Sequence, residues 1–404
     1  MSAVFFHFLP HYMKSVLTAG LCLILFQLVN AQAYQKLHNR SIVVDTHNDI
    51  LTTALNKDLR FDEDLSGKTH SDLNRFKTGG VDVQIFSIWC DGTYGKGKAF
   101  ARANQQIDTL YAVAARNPGR MMIVTNPAGL KKAVKQHKLA AMIGVEGGHM
   151  IEDDLGYLES LYRRGTRYMT LTWNNSTSWA TSAMDETQKG DSLNHKGLTA
   201  LGKQIVKRMN ELGMIVDVSH VGKQTFWDVI ETSSKPVIAS HSCVQTICPV
   251  FRNLDDEQIK AIGRNGGVIH LNFFSGFVDS SFFPRNNTFN QNHREERDSL
   301  LKTVSDPFFA DQYLAEKYAD EVKELRPTLS QLLDHLDYIV NLVGVNHVGL
   351  GSDFDGISSA PQQLDDVAAF PVITRELLKR GYSKRAIRKI LGKNFIRVFK
   401  ANSK

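Results

Sequence analysis

The chain has 404 residues, of which 42% are hydrophobic and 22% are charged. That balance is typical of a folded globular protein and excludes a disordered or fibrous chain. The net charge is +6, and its excess lies between Lys379 and Lys400, where basic and apolar residues interleave at helical spacing. We interpret this segment as an amphipathic helix docked on the fold, and we expect no nucleic-acid partner.

The N-terminal segment has the features of an export signal. Lys14 precedes an apolar stretch from Val16 to Val29, and small residues follow it up to Ala33. We predict that residues 1–33 are a signal peptide and that the protein is secreted or periplasmic, without stable membrane insertion once the signal is removed. An uncleaved anchor is the alternative, although the run is short for a membrane span and Gln27 interrupts it.

After residue 33, short runs rich in Val, Ile and Met alternate with longer amphipathic segments, a pattern that predicts strands and helices around a parallel sheet. Eight such units favour an α/β fold with a closed (β/α)8 TIM-type barrel. The predicted strands are Ile42–Thr46, Val81–Ile88, Ala141–Val145, Tyr168–Thr172, Met214–Val218, Pro236–Ser240, Gly267–Asn272 and His347–Gly351. The helices predicted between them include Ala99–Arg116, Leu155–Arg164, Gly197–Leu212, Lys223–Glu231 and Asp255–Arg264.

One stretch departs from this alternation. From Val278 to about Arg326 the sequence is polar and charged, which predicts an insertion before the last strand, part loop and part helix, with a lid as one interpretation. No repeat or flexible linker marks a second domain. We therefore predict that residues 34–404 form a single barrel domain.

Residue types that bind metals follow several of the predicted strands. A single histidine or aspartate at a strand end is usually a structural contact, but the carboxyl ends of all strands in a barrel meet at one rim, where active sites of this fold lie. Six such residues from five strands indicate one site. They are His47 and Asp49 after the first strand, Glu146 after the third, His220 and His241 after the fifth and sixth, and Asp353 after the eighth.

Imidazole nitrogen and carboxylate oxygen are ligands that suit zinc, and this set exceeds what one tetrahedral catalytic ion needs. His47 and Asp49 are two residues apart on an extended segment, so both side chains can reach one ion. Glu146 is the predicted bridge to a second ion held by His220 and His241. The sequence therefore predicts two Zn²⁺ per chain.

The predicted chemistry follows from the paired ions. Water held between two cations loses a proton near neutral pH and becomes a nucleophile, while one cation polarises a carbonyl. Asp353 is the predicted acid/base group that passes the proton to a departing amine. The neighbouring Asp45, Asp217 and Asp355 are either structural or orient the ligands.

A series of short motifs runs along the chain. In chain order they are Asp45-Thr46-His47-Asn48-Asp49, Glu146-Gly147-Gly148-His149, Asp217-Val218-Ser219-His220, Ser240-His241-Ser242, Arg252-Asn253, Gly351-Ser352-Asp353-Phe354-Asp355-Gly356 and Gly392-Lys393-Asn394-Phe395. Together they resemble the membrane (renal) dipeptidase family from about Ile42 to Phe399, nearly the whole mature chain.

The resemblance implies a binuclear zinc barrel, often a homodimer, that hydrolyses dipeptides and tolerates a D-residue at the second position. It assigns metal binding to the same five residues, with Glu146 as bridge and catalytic group, and an acid/base or water-orienting role to Asp353. It also assigns recognition of the substrate carboxylate to Arg252. That role is chemically reasonable, because a guanidinium can hold a carboxylate through two parallel hydrogen bonds.

The sequence departs from the family pattern at one position. The best-known members place a substrate-binding histidine after the Leu-Thr of the fourth strand, where this chain reads Leu171-Thr172-Trp173. An indole cannot accept a proton or bind a metal, but it can donate a hydrogen bond and line a pocket. We therefore expect Trp173 in substrate binding and a shifted choice of substrate.

Two alternatives stay open. One is a different metal-dependent amidohydrolase that acts on a cyclic amide, lactone or phosphotriester; many of those have two histidines where this chain has His47 and Asp49, and a modified lysine in place of Glu146. The other is a binding protein that keeps the barrel without catalysis, since fold alone does not fix function. A missing ligand would mark the latter, and every predicted ligand is present.

Overall fold

The computed structural model describes residues 34–303 and 307–404. Within these residues nine strands form one parallel sheet. The strands are β1 (Val44–Asn48), β2 (Val83–Trp89), β3 (Met121–Ile123), β4 (Leu139–Glu146), β5 (Thr166–Thr170), β6 (Ile215–Asp217), β7 (Ile238–Ala239), β8 (Val268–Leu271) and β9 (Val348–Leu350). Eight of them correspond to the predicted strands, with ends that differ by a few residues.

The sheet runs in the order β1-β2-β4-β5-β6-β7-β8-β9, and the two outer strands of that path meet. The backbone N–H of Asp353 donates to the carbonyl of His47 at 3.0 Å, and that of Asp49 donates to the carbonyl of Phe354 at 2.9 Å. These bonds beyond the ends of β9 and β1 nearly close the sheet. The prediction of a TIM-type barrel is therefore confirmed.

Strand β3 is not among the predicted strands. Met121 pairs with Leu139 at the start of β4, on the edge that β5 occupies further along. Three apolar residues between two helices are too short a run for periodicity to distinguish from a loop. The eight predicted strands form the continuous path, and β3 is an additional strand outside it.

Helices follow most of the strands. Their bounds are Ile50–Asn56, Leu73–Thr78, Ala99–Arg116, Pro127–Lys135, Leu155–Arg163, Ala183–Lys189, Ala200–Leu212, Lys223–Thr232, Asp256–Asn265, Ser275–Val278, Phe282–Asn292, Arg294–Leu301, Pro307–Lys317, Ala319–Leu325, Leu329–Val343, Phe370–Lys379, Lys384–Arg388 and Asn394–Asn402. Local sequence sets several ends: Asp255 and Gln258 form a capping box, and Gly266 ends the same helix with φ +79.

The segment 278–326 is mostly helical in its described part. The helices Phe282–Asn292, Pro307–Lys317 and Ala319–Leu325 enclose a small apolar cluster of Phe289, Leu314 and Val322. The first of these helices lies next to the carboxyl end of the barrel, because Phe283 packs on Phe274 just after β8. The segment therefore contributes to the surroundings of the rim.

The C-terminal helix closes the opposite end of the barrel. Phe395, Val398 and Phe399 are at most 2% exposed and belong to the apolar cluster inside the barrel. The basic side chains of Lys393 and Lys400 point to solvent. This arrangement confirms the prediction of a docked amphipathic helix.

No helix in residues 34–303 or 307–404 is long and apolar enough to cross a membrane. The predicted signal peptide at residues 1–33 lies outside the described residues.

Candidate metal centre and substrate cavity

The six predicted rim residues come together at the carboxyl end of the barrel. The five predicted ligands are at most 8% exposed, and the side chain of Asp353 is 14% exposed. The residues are His47 within β1, Asp49 directly after it, Glu146 at the last position of β4, His220 and His241 after β6 and β7, and Asp353 after β9. Residues far apart in sequence thus share one buried centre.

Glu146 lies between the histidines. Its Oε2 is 3.4 Å from Nε2 of His47, while its Oε1 is 2.9 Å from Nε2 of His220 and 3.4 Å from Nε2 of His241. The two oxygens of one carboxylate therefore face different histidines.

His47 also faces two aspartates. Its Nε2 lies 3.4 Å from Oδ2 of Asp49 and 3.9 Å from Oδ1 of Asp353. Two sets of possible ligand atoms lie within 4.8 Å of one another: those of His47, Glu146 and His241, and those of His47, Asp49 and Asp353. Asp353 is thus close enough to act on the same centre as the predicted ligands.

The outer ring nitrogen of each histidine is held by a neighbour. Nδ1 of His47 lies 2.8 Å from the hydroxyl of Tyr168, which donates its own proton to the carbonyl of Thr46. Nδ1 of His220 lies 3.2 Å from Oδ1 of Asn174, which is an acceptor. Both partners require a proton on Nδ1, so Nε2 of each ring faces the centre, and in His220, whose imidazole is neutral, it carries a lone pair.

His241 follows the same pattern. Its Nδ1 lies 2.8 Å from the hydroxyl of Ser240, whose proton goes to Asp217 at 2.6 Å. Nε2 of His241 therefore also carries a lone pair, and it lies 3.0 Å from Nε2 of His220. Lone pairs this close repel one another unless a cation lies among them.

Two buried atoms point to the same conclusion. Nε2 of His47 and Oδ1 of Asp49 are buried without a hydrogen-bond partner, and unpaired buried polar groups are rare in folded proteins. Imidazoles, carboxylates and unsatisfied polar atoms gathered at one centre fit a metal site.

The electrostatics of the centre follow from burial and close charges. Burial acts against the charge of Glu146, yet the surrounding histidines hold its pKa well below the ordinary value. Burial and the nearby carboxylates of Asp49 and Glu146 raise the pKa of Asp353 well above the ordinary value. Burial lowers the pKa of His220 to about 4, so its imidazole is neutral, the form that binds metals.

The three aspartates next to the motif residues are buried and hold the rim together. Asp217 orients His241 through Ser240. Asp45 accepts from the hydroxyl of Ser352 at 2.7 Å, and Asp355 accepts from the backbone N–H of His70 at 2.7 Å. Asp217 therefore supports a ligand, whereas the other two fix loops.

The backbone of the rim is strained at several of these positions. His220 has φ +64, Asp353 has φ +62 and Asp355 has φ +66. The left-handed region is unfavourable for residues with a side chain, and such strain is concentrated at functional sites.

A cavity of about 1000 Å³ opens above the centre. Its volume is at the upper end of the range for small-molecule sites. The ionisable residues that line it are Asp49, Asp91, Glu146, His220, Arg252, Asp353 and Asp355, and the aromatic ones are Trp89, Trp173, Phe251, Phe274, Phe277 and Phe283. Both predicted substrate-binding residues, Arg252 and Trp173, are therefore in the cavity wall.

Arg252 is 4% exposed. One guanidinium nitrogen donates to the carbonyl of His241 at 3.3 Å, and its Nε is buried without a partner. Burial lowers its pKa to about 10, so the side chain stays cationic at neutral pH. A buried cation with an unsatisfied donor at a cavity suits an anionic group of a ligand.

Trp173 lines the cavity next to the centre. Its ring packs edge-on against Trp89 at 5.0 Å between centroids, and its centroid is 6.4 Å from that of His220. The indole occupies space beside the histidine and offers no metal ligand. Its position agrees with the prediction that Trp173 lines the pocket.

Sequence reasoning missed three supporting residues: Tyr168, Asn174 and Asn272. The amide of Asn272 donates to Oδ2 of Asp353 at 2.7 Å. A signal for Asn272 was available, because it is the polar residue at the end of the seventh predicted strand. Nothing in the sequence pattern distinguishes Tyr168 or Asn174 from neighbouring polar residues.

A parallel barrel with histidines and carboxylates gathered at the carboxyl ends of its strands defines a class, the metal-dependent hydrolases built on this fold. The chain belongs to one family of that class, the membrane dipeptidase family (peptidase family M19), whose family model matches residues 31–404. The resemblance inferred from the motifs is thus confirmed.

Similar proteins agree with this assignment. The chain is 31% identical to Dipeptidase 3 of Mus musculus and 30% identical to Dipeptidase 3 of Homo sapiens, over 362 residues in each case. These residues make up 89% of this chain and 64% of each relative. The match therefore covers most of this chain but less than two thirds of each relative.

Solved structures share the fold. The probable dipeptidase PvdM from Pseudomonas aeruginosa is 25% identical with a TM-score of 0.74, covering 92% of this chain and 98% of that one. A metallo peptidase from Rhodobacter sphaeroides, liganded with a phosphinate mimic of the dipeptide L-Ala-D-Ala, is 23% identical with a TM-score of 0.72, covering 90% and 99%. The second likeness supports the barrel fold alone.

Proposed function

We propose that the protein is a binuclear zinc dipeptidase that hydrolyses L,L and L,D dipeptides and is exported by residues 1–33. The position of Glu146 carries the proposal. One carboxylate oxygen lies 3.4 Å from His47, and the other lies 2.9 Å from His220 and 3.4 Å from His241. A carboxylate placed between two sets of ligands supports two adjacent ions better than one.

The donor atoms suit zinc. The first ion would be held by His47, Asp49 and Glu146, and the second by His220, His241 and Glu146. When bound, the two ions would supply a water nucleophile that is deprotonated near neutral pH and would polarise the scissile carbonyl.

Asp353 is the proposed acid/base group. Asn272 donates to its Oδ2 at 2.7 Å, and its Oδ1 lies 3.9 Å from Nε2 of His47. Attack of water on the carbonyl carbon releases a proton, and cleavage of the C–N bond requires one on the departing amine. A carboxyl group whose pKa is raised by burial is suited to carry that proton between them.

Arg252 is the proposed site for the C-terminal carboxylate of the substrate. It lies in the cavity wall with an unsatisfied buried Nε. A carboxylate bound there sets the scissile bond one residue from a free C-terminus, which is the position of the peptide bond in a dipeptide. L,D dipeptides are included because the resemblance to the membrane dipeptidase family implies tolerance of a D-residue at the second position.

The test combines metal analysis with a substrate panel. We expect the purified protein to contain about two zinc ions per chain by plasma mass spectrometry, to release amino acids from L,L and L,D dipeptides, and to lose activity on chelation and regain it with zinc. Two metals without dipeptide cleavage would favour another amidohydrolase activity. A metal-free protein that binds dipeptides intact would favour a binding protein.

A second prediction concerns the loop after β9. A Cβ at Gly356 would lie 2.3 Å from Oδ2 of Asp49 and 2.8 Å from Oδ1 of Asp353, so both carboxylates would have to move. We expect Gly356→Ala to lower kcat/KM for dipeptides about 100-fold, since a misplacement of about 1 Å has an effect of that size. Steady-state kinetics measures this.

The matched control is Gly119→Ala, because a Cβ at Gly119 meets nothing within 4 Å. Its activity should equal that of the parent protein. Unchanged kinetics in Gly356→Ala would contradict the assignment of Asp49 and Asp353 to the active site.

A further inference from the structure

Three phenylalanines form one side of the substrate cavity. Phe274, Phe277 and Phe283, here called the aromatic wall, all line it. Their rings pack edge to face, with centroid distances of 5.0 Å between Phe274 and Phe277 and 6.0 Å between Phe274 and Phe283. None of these three residues belongs to the candidate metal centre.

The wall joins two separate parts of the chain. Phe274 and Phe277 lie just after β8, whereas Phe283 lies on the helix Phe282–Asn292 of the inserted segment. Gly276 permits their contact, since a Cβ there would lie 2.6 Å from Phe283 and 2.7 Å from Phe274. The inserted segment therefore shapes the cavity rather than only covering the surface.

The wall begins next to the proposed carboxylate site. The guanidinium carbon of Arg252 lies 5.3 Å from the ring centroid of Phe277. The side chain of Asn253 donates to the carbonyl of Phe277 at 2.8 Å, which ties the two loops together. These two contacts with Phe277 hold the guanidinium of Arg252 beside the aromatic wall.

Phe283 is 39% exposed. Apolar area of this size is unfavourable in water and becomes favourable when a ligand covers it, at about 25 cal/mol per Å². The cavity of about 1000 Å³ is also far larger than a dipeptide of two small residues needs. Both observations indicate a substrate with a large apolar group.

We propose that the aromatic wall binds the side chain of the C-terminal residue and that the enzyme prefers dipeptides in which this residue is large and apolar. The inference rests on the proposed dipeptidase function and on Arg252 as the carboxylate site. A C-terminal carboxylate and side chain leave the same α-carbon, so a carboxylate on Arg252 places that side chain within reach of Phe277, whose ring centroid lies 5.3 Å from the guanidinium carbon. The N-terminal side chain leaves from the other side of the scissile bond.

The test compares L-Ala-L-Phe, L-Phe-L-Ala and L-Ala-L-Ala as substrates of the zinc-loaded protein and of Phe283→Ala. We expect the parent protein to favour L-Ala-L-Phe over L-Ala-L-Ala in kcat/KM by about 10-fold or more, the scale at which an apolar pocket discriminates. Phe283→Ala should lose most of that preference, mainly through a higher KM for L-Ala-L-Phe. A metal content equal to that of the parent protein verifies that the variant folds.

The matched control is Tyr313→Ala, which removes another exposed aromatic side chain of the inserted segment, 48% exposed, from outside the cavity lining. It should keep the parent preference. Equal kcat/KM for all three dipeptides, a preference for L-Phe-L-Ala, or an unchanged preference in Phe283→Ala would overturn the inference and leave the dipeptidase proposal intact. An inactive parent protein would overturn both.

Discussion

Glu146→Gln is expected to hold fewer than one metal ion per chain and to hydrolyse dipeptides at least about 10³-fold more slowly than the parent protein. One oxygen of its carboxylate faces His47, and the other faces His220 and His241. A carboxamide has a single acceptor oxygen and no charge, so it cannot serve two cations. Metal ions stabilise the charge of the transition state by several kcal/mol, and the loss of that stabilisation corresponds to a rate loss of this size.

Metal content by plasma mass spectrometry and kcat/KM on one dipeptide would be measured on the same preparation. The matched control is Glu211→Gln, since Glu211 is a surface residue that pairs with Arg208 at 2.8 Å. It should bind metal and react as the parent does. A Glu146→Gln protein with full metal content and full activity would contradict a bridging role.

The barrel could be predicted because its signals are periodic and local. Runs of Val, Ile and Met recur between amphipathic segments, and the helix Ala99–Arg116 was predicted with the bounds that the structure has. Two features of the strands could not be predicted from these patterns. Strand β3 is only three residues long, and β7 shrinks to Ile238–Ala239 because strand ends depend on neighbours that are distant in sequence.

The six rim residues could be predicted because the topology of a parallel barrel brings strand ends together whatever their spacing in sequence. The residues that hold them could not. Asn174 reaches His220 across 46 positions, and Tyr168 reaches His47 across 121. Single polar residues have no periodicity, and only the folded chain determines which of them meet.

The aromatic wall could not be predicted from the sequence for a related reason. The polar composition of residues 278–326 predicted an insertion, but not that Phe283 at its start would pack on Phe274 and face the cavity. Aromatic residues near a loop are more often buried than exposed to a ligand. Its place in the cavity depends on Gly276 and on the path of the chain after β8.

Asp353→Asn should separate proton transfer from metal binding. The substitution is nearly isosteric, and the amide oxygen can still accept the hydrogen bond that Asn272 donates at 2.7 Å. We expect the metal content to stay at the parent value and kcat to fall about 10²- to 10⁴-fold, the usual contribution of a positioned general acid or base. KM should change little, because Arg252 is untouched.

The alternative role for Asp353 predicts a different result. Asp353 belongs to the same group of possible metal-binding residues as His47 and Asp49. If its carboxylate helps to bind the first ion, its replacement should lower the metal content. Loss of about one ion per chain together with activity would therefore contradict the acid/base assignment. Asp298→Asn, on an exposed helix of the inserted segment, is the control for removing a carboxylate without touching the centre. Retained metal with slow turnover would place the role of Asp353 in the reaction itself rather than in metal binding.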